Sequence, residues 1–310
     1  MPRSIKKAIL FKILRYSGLS FLFRELAQRS KITILLFHDL STEKAEKTLE
    51  YLQKRYNIIP LRTFIEKCGV RGRPLPPKSL VLTLDDGHIG NRDLLSLVKE
   101  KGIPVTIFLC AGMIGTNRHF WCRKCSPPYT LSQLLQVSNA ERLRLLQLTG
   151  YVQEREYEEP QVLTKGQIHE MKPYVDFQAH TLFHPSLPQC SYEEAKDEVF
   201  QCKDILEKEL GLRIYALSYP HGAYSDRDIA LCREAGYACG ITAEYGCNTI
   251  RADLFRLKRI PIDDSAGIDE LAVRASGLLG SLQKVARACR RGKRGDEGRK
   301  KRVNGVGGQA

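Results

Sequence analysis

The feature that most constrains this chain is a short apolar run, residues 80–84, that ends directly at Asp85, Asp86 and Gly87. Its length and its Leu and Val content predict a strand that is buried on both faces, as in a parallel sheet. Two adjacent carboxylates at one strand end repel each other, and a divalent cation relieves this by binding one while the other stays free to accept a proton. The simpler alternative is that Asp85 caps a helix.

A second strand-like run, residues 175–179, is followed by His180 and His184. Two histidines four positions apart can face the same side of a helical turn or a tight loop. Two imidazoles and one carboxylate, with a position left for water, are typical of hydrolytic zinc sites. Either motif alone fits ordinary core or surface side chains equally well. Their occurrence together at two strand ends favours a metal site formed by Asp86, His180 and His184.

Three motifs occur in the order that one known family shows. Residues 83–87 resemble T-F-D-D-G, residues 180–184 resemble H-[ST]-x-x-H, and residues 219–222 resemble Y-P-Y-G. From about residue 32 to 265 the chain resembles the polysaccharide deacetylases, that is, the NodB-homology domain of carbohydrate esterase family 4. Residues 34–38 are similar to the first strand of the branch that acts on poly-N-acetylglucosamine.

Short apolar runs alternate with segments of helical periodicity along the chain, and polar residues cluster after the apolar runs. This pattern predicts a parallel barrel whose active face lies at the carboxyl ends of the strands. The resemblance implies the same α/β class, namely a distorted (β/α) barrel with fewer than eight regular units. The predicted strands are 31–37, 80–84, 104–110, 175–179, 214–219, 238–242 and 255–262, and the predicted helices are 43–54, 91–101, 164–171, 191–210, 226–235 and 268–288.

The resemblance also implies the roles of the site residues. Asp86, His180 and His184 are expected to bind a divalent metal, with Zn²⁺ as the expected ion, and Asp85 to act as the general base. Zinc lowers the pKa of a bound water to about 7, so hydroxide is available to attack an acetamide carbonyl at neutral pH. A backbone N–H near His221 is expected to stabilise the oxyanion. Substrate contacts are expected from Tyr219, Pro220 and Gly222.

The chain departs from the family pattern at two positions. Many relatives carry an arginine two residues before the third-motif proline, where this chain has Ser218; Arg256 or Arg259 on the last strand could supply that cation, or either could be a solvated charge. The usual general-acid histidine is missing, because residues 257–261 contain none. His38 and His221 are the remaining histidines at strand ends and are therefore catalytic candidates, although His38 fits a core position equally well.

Charge is distributed unevenly along the chain. Of the formal net charge of +14, residues 1–31 contribute eight Lys/Arg against one Glu, and residues 284–310 contribute ten against two acids. Residues 32–283 are therefore close to neutral, which argues against a basic cleft for a polyanion and against a specific nucleic-acid partner. The predicted organisation is a basic amphipathic segment at 1–31, a barrel at 32–283 with an insertion at about 113–160, and a disordered basic tail at 284–310.

The N-terminal segment mixes apolar residues with lysine and arginine. Lys12 and Arg15 interrupt the apolar run that a secretory signal requires. A helix lying on an anionic membrane surface through residues 4–28 fits this pattern, and so does a helix packed on the barrel with solvated lysines. A peripheral membrane contact is therefore one of two open expectations.

Ten cysteines in irregular spacing do not form an obvious disulfide framework, so reduced thiols are expected. Cys122 and Cys125 have the spacing of a zinc knuckle without a matching second pair, which favours free thiols over a structural zinc. This cysteine usage predicts a cytoplasmic protein, with a peripheral position at the membrane and an extracytoplasmic location both left open.

The sequence thus predicts a metal-dependent hydrolase that removes N-acetyl groups from a sugar in a polysaccharide or glycolipid. One alternative from another class is a metal-containing barrel that binds glycans without turnover. Nucleic-acid binding through the two basic ends is a third hypothesis, and the neutral body of the chain makes it the weakest.

Overall fold

The computed structural model describes residues 3–68 and 75–282 of the chain. Eight strands form one parallel sheet, with helices packed around it. The strands are β1 (Ile32–Phe37), β2 (Asn57–Ile58), β3 (Ser79–Leu84), β4 (Thr106–Leu109), β5 (Asp176–Ala179), β6 (Ala216–Ser218), β7 (Cys239–Tyr245) and β8 (Leu257–Pro261). The helices are α1 (Arg3–Tyr16), α2 (Leu19–Leu22), α3 (Thr42–Gln53), α4 (Leu61–Lys67), α5 (Leu95–Lys101), α6 (Leu131–Leu134), α7 (Asn139–Leu148), α8 (Lys165–Met171), α9 (Tyr192–Lys208), α10 (Asp226–Glu234) and α11 (Ile268–Ala275).

The sheet closes on itself as a ring of seven strands in the order β1-β8-β7-β6-β5-β4-β3, with β3 paired back to β1. β1 and β3 align along their whole length, from Ile32 beside Ser79 to Phe37 beside Leu84. The two-residue β2 pairs with the beginning of β3, so it widens one end of the ring without adding a full unit. The predicted distorted (β/α) barrel with fewer than eight units is therefore confirmed.

Strands β1 and β3 are buried at every residue. Alternate side chains point to opposite sides of the sheet. Ile32 and Val81 belong to one apolar cluster with Phe64 of α4, whereas Leu35 and Leu82 belong to another with the surrounding helices. Because both faces are covered, the two strands are mostly apolar on both sides and do not alternate between apolar and polar residues.

Helix ends follow local signals in the sequence. The predicted capping box of α9 is present, with the Ser191 hydroxyl accepting from the Glu194 N–H and the Glu194 carboxylate accepting from the Ser191 N–H. The prediction of one continuous helix over 268–288 is wrong, because α11 ends at Ala275. Gly277 then takes a φ of 74°, and a Cβ there would collide with the Gln28 side chain. Residues 283–288 of that prediction lie outside the described residues.

The described N-terminal segment packs on the barrel. Phe11 of α1 is buried against Val273 and Leu278, and the α1 side chains of Lys7 and Arg15 pair with the first turn of α11. Across residues 3–68 and 75–282, no helix combines the length and the apolarity that crossing a bilayer requires.

The segment predicted as an insertion contains a short 3₁₀ turn (Trp121–Arg123) followed by α6 and α7. Trp121 is fully buried together with Leu134, Leu146 and Tyr151, so this segment has a small apolar cluster of its own. The predicted disordered tail at 284–310 lies outside the described residues.

Candidate active site

The carboxyl end of β3 carries the two adjacent carboxylates. Asp86 has a φ of 72° and Gly87 a φ of 62°, so the chain reverses sharply at this point. A side chain at Gly87 would meet Leu109 Cδ2 at 2.5 Å, which explains the glycine. A left-handed conformation at a non-glycine residue such as Asp86 is costly and is typical of functional sites. The turn sends Asp85 and Asp86 toward the same edge of the barrel while separating their side chains.

Asp86, His180 and His184 converge at this edge. Asp86 Oδ1 lies 3.4 Å from His180 Nε2 and 3.3 Å from His184 Nε2, and one candidate ligand atom from each residue lies within 4.8 Å of the other two. Tetrahedral zinc ligands with bonds of about 2.0–2.1 Å place neighbouring donor atoms about 3.3 Å apart. All three residues are buried. The spacing therefore matches three corners of a tetrahedral metal site.

Hydrogen bonds around this cluster also fit a metal. His180 Nδ1 lies 2.7 Å from the carbonyl oxygen of Ser218, to which it donates, so Nε2 is left as a lone-pair donor. Asp86 Oδ1 is buried without a hydrogen-bond partner. A buried carboxylate oxygen facing two imidazole nitrogens is unfavourable unless a cation lies between them. The residues present thus fit a divalent cation.

The pKa shifts of the three residues indicate how a cation would fit among them. Burial alone would raise the pKa of the Asp86 carboxyl, but the histidines around it, chiefly His184 and His180, hold that pKa well below its usual range. Burial lowers the pKa of the His184 imidazole well below its usual range. For His180, burial lowers the pKa but the facing Asp85 and Asp86 raise it above its usual value. A cation at this point would take the place of the proton that the two carboxylates attract.

The loop between the two histidines is held from both sides. Thr181 and His184 have φ values of 67° and 58°. The buried Glu198 of α9 accepts hydrogen bonds from the N–H groups of Leu182 at 2.7 Å and Phe183 at 3.0 Å. On the other side, the Trp121 indole donates to the carbonyl oxygen of His184 at 2.8 Å. The segment predicted as an insertion therefore supports a candidate metal ligand directly.

Asp85 is paired with Arg259 from β8. Arg259 Nη1 and Nη2 donate to the two Asp85 oxygens at 2.7 and 2.8 Å, and the Ser218 hydroxyl lies 3.2 Å from Asp85 Oδ2. Both charged residues are almost fully buried. Burial raises the pKa of Asp85, but Arg259 and then His180 outweigh this, so the net pKa is below its usual range. Asp85 is thus an ionised carboxylate in a fixed orientation, 3.7 Å from His180 Nε2.

Of the two arginines proposed from the sequence, Arg256 does not reach the site. It pairs on the surface with Asp226 and Asp253, and its side chain is 45% exposed. Arg259 is therefore the one of the two that supplies a cation to Asp85, and Ser218 contributes its hydroxyl and its carbonyl to the site.

His221 lies beside the candidate ligands. Its ring centroid is 4.5 Å from that of His184 and 5.4 Å from Trp121, and its Nε2 is buried without a hydrogen-bond partner. The residue has a φ of 57° within the 3₁₀ turn Pro220–Gly222. Burial lowers the pKa of His221 to about 4, with His180 adding to the effect, so the imidazole is neutral at neutral pH.

The three predicted substrate-contact residues form the turn around His221. Tyr219 is fully buried and donates to the carbonyl oxygen of Phe255, so its placement supports a role in positioning the turn and not a contact between its ring and a sugar. Pro220 is also buried. A side chain at Gly222 would collide with Ala243. For Pro220 and Gly222, substrate contact stays a prediction.

His38 follows β1 at the same edge and is partly exposed. Its backbone N–H donates to Asp264, which follows β8. Sequence reasoning gave no role to His88, yet its Nε2 lies 3.2 Å from Asp86 Oδ2 in a buried position. Its place immediately after the Asp85–Gly87 turn was the available signal.

Three comparisons place this geometry among known proteins. Residues 72–240, more than half of the chain, match the sequence model of a family described as Polysaccharide deacetylase. A Bacillus subtilis (strain 168) protein named as a polysaccharide deacetylase, YxkH, is 20% identical over 243 residues, which cover 75% of this chain and 72% of the relative.

Solved structures of similar fold include the Streptococcus pyogenes deacetylase PplD in complex with acetate, with a TM-score of 0.58, 21% identity, and coverage of 79% of this chain and 98% of that one. IcaB from Ammonifex degensii gives a TM-score of 0.58 at 16% identity, covering 80% and 97% of the two chains. The BpsB deacetylase domain from Bordetella bronchiseptica gives 0.55 at 16% identity, covering 76% and 96%. At these identities the likeness establishes the barrel fold.

Proposed function

Because the chain belongs to the polysaccharide deacetylase family, and is on that ground a carbohydrate de-N-acetylase, we propose that it hydrolyses the acetamide of an N-acetylated sugar in a polysaccharide or glycolipid with a bound divalent metal. The observation that carries this proposal is the convergence of Asp86, His180 and His184 at tetrahedral spacing, with Asp85 beside them in a fixed orientation. Zn²⁺ is the proposed metal, since two imidazoles and a carboxylate are its usual ligands in hydrolytic sites.

Asp86, His180 and His184 are proposed to bind the cation. When bound, a divalent cation of this kind lowers the pKa of a coordinated water and polarises the acetamide carbonyl. Asp85 accepts the proton of the attacking water, because it is ionised and adjacent to His180. Arg259 and Ser218 hold the Asp85 carboxylate in the orientation that this transfer needs.

The turn at residues 220–222 is proposed to bind the acetamide. His221 is neutral with an unpartnered Nε2 near the metal ligands, so it is available to form a hydrogen bond with the substrate. A backbone N–H in the same turn is proposed to stabilise the developing oxyanion. His38, partly exposed at the same edge, is the second histidine proposed to contact substrate.

The proposal is tested with Asp85→Asn. The variant should keep its bound metal, because Asp85 is not among the three ligands, and should release amine from N-acetylglucosamine oligomers about 10²–10⁴-fold more slowly. Asp93→Asn is the matched control, because Asp93 is exposed and lies on the same segment between β3 and α5, and it should retain full activity. A wild-type rate in Asp85→Asn would refute the base assignment. Failure of the wild-type protein to release amine with or without added Zn²⁺, across polymeric and lipid-linked substrates, would favour the non-catalytic glycan-binding alternative.

We also propose a cytoplasmic location. Buried thiols at Cys110, Cys202 and Cys239 support it, since free thiols persist in reducing compartments. Alkylation of intact source cells with a membrane-impermeant thiol reagent, followed by fractionation, tests the location through exposed-thiol labelling. Labelling of the partly exposed Cys68 before lysis would contradict it.

A further inference from the structure

The N-terminal helices have a defined packing face. In α1, Phe11 is 6% exposed and lies against Val273 and Leu278. Lys7 Nζ lies 2.9 Å from Glu270, and Arg15 Nη1 lies 2.5 Å from Asp269. These contacts fix which side of α1 faces the barrel. The opposite side is therefore presented outward in a fixed orientation.

That outward side of α1 is apolar. Ile5, Ile9, Ile13 and Tyr16 follow one another at helical spacing, on the side opposite Phe11, and are 43–70% exposed. Further exposed apolar side chains follow directly in α2 and the turn after it. They are Leu19, Phe21, Leu22 and Leu26.

Large apolar side chains are concentrated here more than elsewhere on the surface. Of the sixteen exposed large hydrophobic residues in the described chain, nine lie between residues 5 and 26. Scattered exposed apolar residues are normal, but a contiguous patch of this kind marks an interaction surface. We refer to residues 5–26 on this side as the N-terminal apolar face.

Positive charge surrounds the N-terminal apolar face. Lys6 and Lys12 are exposed, lie one helical turn from Ile9, and have no acidic partner within the described part of the chain. Arg29 and Lys31 are exposed in the same way just beyond it. The one acidic residue before Ile32, Glu25, is paired with Arg24 and Lys78.

This charge pattern indicates which partner the N-terminal apolar face fits. A second copy of the chain placed on this face by two-fold symmetry would bring the same unpaired cations together, which is unfavourable. An apolar stripe bordered by lysine and arginine is instead the composition that inserts at the interface of an anionic bilayer.

The helix that carries this face is anchored on α11. The packing side of α1 makes ion pairs with the first turn of α11, which begins shortly after β8. Between β8 and α11, Asp264 accepts hydrogen bonds from the backbone N–H groups of His38 and Asp39. The anchoring holds the outward face in one orientation on the barrel.

We propose that the N-terminal apolar face docks the enzyme on an anionic phospholipid bilayer. The face inserts Ile9, Ile13 and their neighbours into the headgroup region, and Lys6 and Lys12 lie against lipid phosphates. This inference goes beyond the proposed reaction, because binding to lipid does not require an intact catalytic site.

The test uses flotation of the full chain with vesicles of phosphatidylcholine and phosphatidylglycerol, and with vesicles of phosphatidylcholine alone. The double variant Ile9→Glu/Ile13→Glu alters side chains that are 43% and 60% exposed. Leu148→Glu/Val152→Glu, at 67% and 42% exposure in the insertion, is the matched control. The first variant should lose binding to anionic vesicles by about tenfold or more, while the control binds as wild type.

Further readouts separate the alternatives. Wild-type binding should weaken at high ionic strength and on vesicles without phosphatidylglycerol. Both variants should release amine from soluble N-acetylglucosamine oligomers at the wild-type rate, so lost docking is distinguishable from lost catalysis. Equal flotation of the Ile9→Glu/Ile13→Glu variant and the wild type would overturn the proposal. A dimer in light scattering that this variant converts to monomer would overturn it in favour of a second copy. Vesicle binding that appears only after deletion of residues 283–310 would overturn it in favour of coverage by the chain's own tail.

Discussion

Replacement of Arg259 by methionine leaves the Asp85 carboxylate without its guanidinium partner. Asp85 is 4% exposed and Arg259 is 1% exposed, so water cannot take over the lost hydrogen bonds. The variant loses two charge-assisted bonds of 2.7 and 2.8 Å, and also the Arg259 contacts with Ser218 and the Thr242 carbonyl. Removing one partner of a buried ion pair costs about 3–5 kcal/mol of unfolding free energy. We expect a loss of that size for Arg259→Met.

Arg256→Met is the matched control for this prediction. Arg256 lies three positions earlier and also makes two ion pairs, but its side chain is 45% exposed. Ion pairs at such exposed positions contribute little to stability because water screens them, so this variant should be nearly as stable as the wild type. The assay is urea unfolding of the metal-free proteins, with chelator present in every sample. A difference between the two variants of less than about 1 kcal/mol would refute the energetic argument.

A double variant and a pH series separate charge from packing. Adding Asp85→Asn to Arg259→Met removes the unpaired charge, so the double variant should lose less stability than the sum of the two single variants. The pKa of Asp85 is lowered in the folded protein, so its contribution is present above the unfolded value of about 3.8 and is lost as the pH falls through the folded value. The difference in unfolding free energy between the wild type and Arg259→Met should therefore be largest at neutral pH and become smaller in acid.

Three further predictions concern the candidate metal ligands and the residues around them. His184→Ala should lose bound metal and the thermal stabilisation that added Zn²⁺ gives, whereas the exposed His169→Ala should keep both, as measured by metal analysis and thermal unfolding. Trp121→Phe removes the hydrogen bond to the His184 carbonyl and should weaken metal affinity about 10–100-fold in a chelator competition; unchanged affinity would contradict a supporting role. Burial raises the pKa of Glu198 to about 7, so the unfolding free energy of the wild type should fall as the pH rises from about 4.5 through 7. In denaturant titrations, Glu198→Gln should flatten this pH dependence, whereas the exposed Glu193→Gln should leave it unchanged.

The barrel and the convergence of Asp86, His180 and His184 were predictable because their signals are local. β3 is apolar from Leu80 to Leu82 and again at Leu84, and the turn that follows it needs Gly87. A near-continuous apolar run of this kind is typical of a strand that is covered on both faces. The two histidines follow β5 directly, and parallel strands bring their carboxyl ends to one edge. Sequence position alone therefore placed Asp86 beside His180.

The partner of Asp85 could not be chosen in the same way. Arg259 lies 174 positions from Asp85, and only closure of the ring brings β8 near β3 through β1. The alternation of β8, in which Leu257 and Arg259 are buried and Lys258 is exposed, was the signal that separates Arg259 from Arg256.

Glu198 was missed for a different reason. It lies on the same side of α9 as Ala195 and Cys202, three and four positions away, where a buried acid is unexpected. Its partners are backbone N–H groups of the loop between the histidines, and backbone donors leave no trace in the sequence. An acidic residue on an apolar helix stripe is therefore worth testing for such a bond.

The closure of the ring by its last strand has a consequence for synthesis of the chain. Asp85 leaves the ribosome long before Arg259, so it has no guanidinium partner until β8 has been made. His180 likewise precedes Ser218, whose carbonyl oxygen accepts the hydrogen bond from its Nδ1. The arrangement of side chains at this edge is therefore completed only when β8 closes the ring.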